Sequence, residues 1–254
     1  MADGIKIGTQ DATYKVGSSA VTAIYLGSVL IYQNEPTPVE SVLGDILMWD
    51  NVKNKLLTTV NGEWDSTTYP INRYEPIAIN IYPASQASDG KNRFMALKWA
   101  SNSSATGSTS ENFLKWGEDS TNAGDITSTE TSSLNGRANT DKVVAIMPGT
   151  SGYTKAEYPV FYAVNQFYTN GTSAGDWFVP SRGELTLYKS KYSSINNKIT
   201  AIKTASSSIV DTVNSSQVTS TEYQTTKVYS LNNSGSFKTY TRGSTYGVRG
   251  VIVL

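Results

Sequence analysis

The sequence predicts an α+β protein, and three observations support this prediction. Residues 44–100 contain apolar or alternating runs of strand length. Apolar residues at helical spacing follow in two segments between residues 154 and 202. Strand-like runs return at residue 226 and continue to residue 254. Separate blocks of strands and helices are typical of the α+β class.

Residues 1–33 predict a small all-β module. Apolar residues alternate at Ile5 and Ile7 and again from Ile24 to Tyr32, where "LGS" supplies a tight turn. A unit with so few strands is only marginally stable alone, so we expect it to dock onto another copy or a larger assembly. Residues 34–41, "NEPTPVES", contain two prolines and predict a stiff linker.

The strands of the main domain, residues 42–254, are predicted from "GDILMWD", "KLLTT", "EPIAINIYP" and "RFMALKWA". The last two runs are strongly apolar, and we expect them at the centre of a sheet. Residues 100–135 are rich in Ser, Thr, Asn and Gly and predict long surface loops, where binding function often lies. Near the C-terminal end, "TKVYSL" and "SFKTYTR" predict a hairpin, and "YGVRGVIVL" predicts a buried final strand.

The first predicted helix lies in "TKAEYPVFYAVNQFY". Thr154 and Glu157 have the spacing of a capping box, and Pro159 falls early enough in the helix to be tolerated. The apolar residues at helical spacing are Val160, Phe161, Val164, Phe167 and Tyr168.

The second predicted helix begins in "GDWFVPSRGEL". Ser181 and Glu184 form its capping box, in which each side chain accepts a hydrogen bond from a backbone N–H that the helix start leaves free. A continuous apolar stripe over about five turns predicts one long helix; its members are Leu185, Tyr188, Tyr192, Ile195, Ile199 and Ile202.

The composition excludes several function classes. The 21 basic and 21 acidic residues give no net charge, so we expect no binding to nucleic acid. Cysteine and histidine are absent, which excludes thiol nucleophiles, disulfides, Cys/His zinc sites and imidazole bases. A carboxylate-based hydrolase and an oxygen-ligated calcium site stay possible, but no residues predict a metal site or a cofactor.

The location of the protein is predicted from its N-terminal segment and its surface chemistry. "MADGIKIGTQ" lacks the pattern of a secretory signal, and no apolar run approaches membrane-spanning length, so we expect no membrane insertion. Only 17% of residues are charged, compared with about 25% in typical soluble proteins. Both properties fit a virion protein that is assembled in the host cytoplasm and exposed on the particle. Unconventional export is the alternative.

Three segments resemble a family of bacterial and phage domains with a C-type-lectin-like fold. "GDWFVPSRGELTLY" resembles the family's W-x-x-P-S/T-x-x-E-L signature. "VTSTEY", followed by a hairpin and "YGVRGVIVL", resembles the family's ending, W-S-S-T-E-Y and then V-R-x-V. "GDILMWDN", "EPIAINIYPAS" and "RFMALKWAS" are similar to its opening. The resemblance covers residues 42–254 in the family's order.

This resemblance implies a twisted antiparallel sheet flanked by two helices. Family members include phage receptor-binding proteins, variable proteins diversified by retroelements and bacterial adhesins. A distant branch generates formylglycine in sulfatases, but that chemistry requires cysteine. Residues 1–33 resemble the small β modules that begin structural proteins of crAss-like tailed phages.

The chain also departs from the family. Val218 stands where the family often has Trp, which would remove an aromatic side chain from the displayed surface. The calcium–sugar motifs of animal lectins are missing, so calcium-bridged sugar binding is not expected.

Structural roles are expected for five residues of the signature segments. We expect Trp177 in the core, Pro180 at the turn, and Ser181 with Glu184 at the helix start. Glu222, in the "S-T-E-Y" string, is expected to form structural hydrogen bonds. The alternative is that Asp176, Glu184 and Glu222 supply the acid and base of a glycosidase.

Residues that contact a receptor are expected in the loops and the last hairpin. The candidates are aromatic residues among Asn, Ser and Thr, a mixture that adaptable binding surfaces use; they are Trp116, Tyr153, Tyr223, Tyr240 and Tyr246. For each one, the alternative is that its ring covers the sheet.

The sequence therefore predicts a non-enzymatic phage virion protein, a head- or tail-fibre component. The N-terminal module would bind other virion proteins, and the lectin-like domain would bind a host-surface glycan or protein. We expect a homo-oligomer, a trimer or a dimer, because fibres are built so and many copies add avidity. The alternatives are a capsid-decoration or adaptor protein that binds only virion proteins, and a carboxylate-based glycan depolymerase.

Overall fold

The computed structural model combines helices with antiparallel sheets, which confirms the α+β class. It describes residues 41–59, 64–110, 113–117, 127, 129–146, 157–206 and 216–254, together with strand backbone between residues 15 and 33. The chain divides into two compact units, residues 1–39 and 40–254. This division falls inside the predicted linker, residues 34–41.

The described part of the first unit consists of four short strands: β1 (Lys15–Val16), β2 (Ser19–Ala20), β3 (Ala23–Leu26) and β4 (Val29–Gln33). β1 pairs with β2 and β3 with β4, both antiparallel. The pairing of Ile24 with Tyr32 and of Leu26 with Val29 confirms the predicted hairpin. Ile5 and Ile7 lie outside the described residues.

A five-stranded antiparallel sheet organises the second unit. Its strands are β5 (Ile46–Asp50), β6 (Lys55–Thr58), β7 (Tyr74–Tyr82), β8 (Arg93–Ala96) and β14 (Val251–Val253). Their order is β14-β8-β7-β5-β6, so the two strongly apolar strands, β7 and β8, are internal as predicted.

Two smaller sheets contain the other described strands of this unit. β9 (Leu114–Lys115) pairs with β13 (Thr245–Tyr246). β10 (Gln217–Gln224), β11 (Lys227–Leu231) and β12 (Phe237–Thr241) form a three-stranded antiparallel sheet. The hairpin β11–β12 is the one predicted around "NNSG".

The described residues contain four α-helices: α1 (Gly136–Ile146), α2 (Pro159–Gln166), α3 (Leu185–Ser190) and α4 (Tyr192–Ala205). A short 3-10 helix spans Ala84–Gln86. The prediction of only two helices is therefore wrong in number. α1 was not predicted because its buried residues at helical spacing are Gly136, Asn139, Thr140 and Val143, of which only the last is a large apolar residue.

The two predicted helices need smaller corrections. The single long helix is interrupted at Lys191, whose φ of -119° and ψ of 22° are not helical. Its apolar stripe still faces the core through both α3 and α4. α2 ends at Gln166, and Tyr168 lies beyond it with 42% of its surface exposed. Thr154 lies outside the described residues, so its capping role stays a prediction.

The core lies on both faces of the five-stranded sheet. Leu47 and Phe94 pack in one cluster with residues of α1 and α2, including Val143 and Phe161. Their strand neighbours, among them Ile46, Met48 and Met95, pack in a second cluster with the stripe of α3 and α4. This alternation places a helix pair on each face of the sheet.

Candidate functional site

The segment around Ser181 has the predicted structural role: it contributes a core residue and begins a helix. Trp177 is buried, and its ring packs edge to face on Phe167 at 5.1 Å. The Ser181 N–H donates to Glu184 Oε2 at 2.7 Å, and the Glu184 N–H donates to Ser181 Oγ at 3.2 Å, which confirms the reciprocal capping box. The buried Pro180 precedes it, and its carbonyl accepts the Ser220 N–H at 2.8 Å.

Glu184 also lies where β8 meets the first residues of α1 and α3. Arg93 Nε donates to Glu184 Oε1 at 3.3 Å, and both side chains are buried. Burial raises the pKa of Glu184, while the Ser181 N–H and Arg93 oppose this shift. A Cβ atom on Gly136, the first residue of α1, would lie 2.7 Å from the Ser181 nitrogen, so this close approach requires glycine.

Glu222 forms a second buried ion pair. Its Oε2 lies 2.8 Å from Arg242 Nη2, and its Oε1 accepts the Thr127 N–H at 3.0 Å. The expected structural role of Glu222 is therefore confirmed. Since Glu184 and Glu222 are both buried and bound to arginines, neither offers a carboxylate to a substrate. Asp176 is exposed, and its Oδ2 accepts the Ser173 N–H at 2.7 Å.

The prediction that Trp116 contacts a receptor is wrong. Its ring is completely buried between Phe161, at 5.0 Å, and the Arg242 guanidinium, at 4.8 Å. The indole N–H donates to the Thr219 carbonyl at 2.9 Å. β9 pairs with β13, and Leu114 and Trp116 both face the interior. The polar residues around Trp116 in the sequence therefore gave the wrong prediction of an exposed ring.

Two further predictions concern buried side chains. Tyr246 is almost completely buried, so its expected role as an exposed contact is wrong, although it contributes to the lining of a surface groove. Val218 is buried in the core. A side chain at this position faces the interior, so the expectation that valine in place of tryptophan removes an aromatic side chain from the displayed surface is wrong. Tyr153 lies outside the described residues and stays a prediction.

The two other predicted contacts, Tyr223 and Tyr240, lie on opposite faces of the β10–β12 sheet. Tyr240 pairs with Val228 and packs against the first core cluster. Tyr223 packs on Tyr229, the neighbour of Val228 along β11, at 5.4 Å. Because successive residues of a strand point to opposite faces, the predicted set does not form one surface.

One groove brings exposed and predicted residues together. It has a volume of about 640 Å³ and is lined by Phe113, Ser216, Tyr240 and residues 243–246, and we call it the Phe113 groove. Phe113 is 55% exposed. Phe113 was not among the predicted contact residues, although its position next to the inward-facing Leu114 is a sequence signal for an outward-facing side chain.

The wall of the Phe113 groove is held by hydrogen bonds in the turn between β12 and β13. The Tyr246 hydroxyl donates to the Thr241 carbonyl at 2.5 Å, and Thr241 Oγ1 lies 2.8 Å from Ser244 Oγ. Burial raises the pKa of Tyr246 to about 12, so the hydroxyl stays protonated at neutral pH. The Tyr240 and Tyr246 rings are 5.9 Å apart and support each other.

Among the described residues, the groove lining contains rings and hydroxyl groups and no charged side chain. Phe113 and Tyr240 offer apolar ring faces, and Ser216 and Thr245 add hydroxyl groups that form no side-chain hydrogen bond with the described residues. This chemistry suits a neutral saccharide or an uncharged protein surface.

A second, polar cleft of about 470 Å³ lies at Tyr82, Gln86, Asp89, Arg93 and residues 132–135. Its charges already neutralise each other, because Arg93 binds both carboxylate oxygens of Asp89 at 3.0 and 2.9 Å. The described residues contain no group of three metal-ligating side chains, and no described helix is long and apolar enough to cross a membrane.

Comparison with solved structures shows a distant similarity to a fimbrial protein. No protein-family model matches the chain, and no curated protein matches it. The crystal structure of a fimbrial protein from Bacteroides ovatus ATCC 8483 is similar, with 15% sequence identity and a TM-score of 0.47. The similarity covers 92% of this chain and 48% of the fimbrial protein, so this chain spans about half of that protein's length.

Proposed function

We propose that this chain is a non-enzymatic virion protein of a phage, a head- or tail-fibre component whose second unit has a C-type-lectin-like fold and binds a host-surface glycan or protein. The observation that carries this proposal is the Phe113 groove, where an exposed ring, a second ring and hydroxyl groups meet and where the described lining holds no charged side chain. The groove lies at the loops and last hairpin to which the sequence assigned binding.

The sequence supports a role for the first unit and for oligomerisation. The first unit attaches the chain to other virion proteins, and the protein assembles as a trimer or a dimer on the particle. A weak contact at each Phe113 groove then gains avidity from the other copies.

The proposal is tested by the binding of the purified full chain to an array of neutral glycans and to bacterial host cells. We expect Phe113→Ala to weaken binding at least about tenfold, because a central exposed ring commonly dominates a contact surface. Tyr168→Ala is the matched control, since this ring is similarly exposed but lies outside the groove; it should bind as wild type does.

Three outcomes contradict the proposal. Equal binding by wild type and Phe113→Ala would remove the groove from host recognition. No binding to glycans or cells, together with binding to purified phage particles, would instead indicate the capsid-decoration or adaptor role. Release of reducing ends from host capsule by wild type would favour the depolymerase.

A further inference from the structure

The face of the β10–β12 sheet that points away from Tyr240 carries an aromatic and basic surface that the Phe113 groove does not use. Tyr223, Tyr229 and Phe237 supply its rings, and Arg182 and Lys189 supply its positive charges; we call these five residues the aromatic–basic patch. Tyr223 is 44% exposed, and Tyr229 and Phe237 are half-buried. The patch therefore presents ring surface to solvent.

The rings hold the guanidinium group of Arg182 in place. Its central carbon lies 4.6 Å from the centre of the Tyr229 ring and 5.1 Å from the centre of the Phe237 ring. Lys189 Nζ, from α3, lies 5.6 Å from the centre of the Phe237 ring. A stacked guanidinium keeps its N–H groups at its edge, where they can donate to a planar carboxylate.

These two charges have no acidic partner within the part of the chain that the structure describes. Neither Arg182 nor Lys189 forms an ion pair there. Residues 182–206 and 216–254 contain nine basic residues and only two acidic ones. The two acidic residues, Glu184 and Glu222, are buried and bound to Arg93 and Arg242.

We propose that the aromatic–basic patch binds an acidic saccharide, with Arg182 donating to a sugar carboxylate and Tyr223 stacking on the sugar ring. Arg182 offers the paired N–H groups that a carboxylate accepts in bidentate form, and Lys189 adds a second charge. The apolar face of a hexose ring packs on an aromatic ring of this exposure. This site goes beyond the function proposed above, because it uses other residues on the other face of the sheet.

A saccharide fits the patch better than a nucleic acid does. A single strand of nucleic acid is bound by a row of cations that follows its phosphates, beside a series of stacking rings. The patch has two cations, and both lie against the Phe237 ring. This arrangement suits one carboxylate-bearing sugar unit.

The test is calorimetric titration of the full chain with tetragalacturonate at low salt. We expect binding by wild type, about tenfold weaker binding by Arg182→Gln, and weaker binding by Lys189→Gln and Tyr223→Ala. The methyl ester of the same oligosaccharide should bind much more weakly, because it keeps the rings but loses the carboxylates. High salt should weaken the binding of tetragalacturonate but not the binding of the methyl ester.

Matched variants separate this site from general effects. Lys238→Gln removes an exposed charge beside Ser230 on the other face of the same sheet, and Phe113→Ala alters only the groove; both should bind tetragalacturonate as wild type does. Lys189 and Tyr223 are exposed, so their variants report on binding even if Arg182→Gln is unstable.

The proposal is overturned if wild type does not bind tetragalacturonate, if the ester binds equally well, or if Lys238→Gln weakens binding as much as Lys189→Gln. Tighter binding of a single-stranded oligothymidylate would assign the patch to nucleic acid instead. None of these results changes the outcome of the Phe113→Ala experiment, so the two proposals fail separately.

Discussion

Glu222 and Arg242 are completely buried, and each supplies the charge that the other needs. Trp116 covers Arg242, so the ion pair and the aromatic ring form one unit beneath β10 and β13. Loss of one partner leaves an uncompensated charge in the interior, which is far more costly than the loss of a surface ion pair.

We therefore expect Glu222→Gln to reduce the free energy of unfolding by about 3–5 kcal/mol, measured by urea denaturation. Glu75→Gln is the control, because Glu75 lies 3.9 Å from Lys98 in a pair that is partly exposed; it should cost less than about 1 kcal/mol. Equal losses in the two variants would show that burial of the Glu222 pair is unimportant. Because this substitution destabilises the fold, a loss of activity in Glu222→Gln would not identify Glu222 as a catalytic residue.

At the scale of elements, the stripe of α3 and α4 holds the helices on the sheet. Ile199 is completely buried in the second core cluster, whereas Thr200 beside it is exposed. The interruption at Lys191 does not break the stripe, since Tyr188 and Ile195 on either side of it are both buried.

We expect Ile199→Ala to destabilise the protein by about 2–5 kcal/mol, because it removes buried methyl groups and leaves a cavity. Thr200→Ala, one position along the same helix, should change stability by less than about 0.5 kcal/mol. Thermal and urea unfolding of the two variants measure this difference. A small effect of Ile199→Ala would mean that α4 does not pack as described.

The helices and strands differ in how well the sequence predicts them. Helices with a large apolar stripe and strands with strongly apolar runs could be predicted, and so could the capping box at Ser181. α1 could not, because Asn139 and Thr140 fill its buried face: Asn139 Nδ2 donates to the Ser220 carbonyl at 3.3 Å, and Thr140 Oγ1 accepts the Val179 N–H at 2.9 Å. Such partners come from distant segments and leave no local period.

The candidate site was predicted only in part, for a similar reason. Tyr240 was placed correctly at the last hairpin, and Trp116 was assigned to the surface from the polar residues around it. Which ring is buried depends on the pairing of Leu114 with Tyr246, which are far apart in the sequence. Composition alone contains no information about that pairing.

At the scale of the whole molecule, residues 40–254 form a compact unit that contains both the five-stranded sheet and the core clusters on its two faces. We expect a fragment of residues 40–254 to unfold in one cooperative step at the same urea midpoint as the corresponding transition of the full chain. Circular dichroism of both proteins measures the midpoints. A lower midpoint or aggregation of the fragment would show that residues 1–39 contribute to its stability.

The β10–β12 sheet has Tyr240 on one face and Tyr229 on the other, so the Phe113 groove and the aromatic–basic patch share a wall but no side chain. Two ligands that occupy them do not compete sterically, and any cooperativity between them has to pass through the sheet itself. If both sites bind, each copy has a valency of two, and one copy can bridge a neutral and an acidic polysaccharide chain.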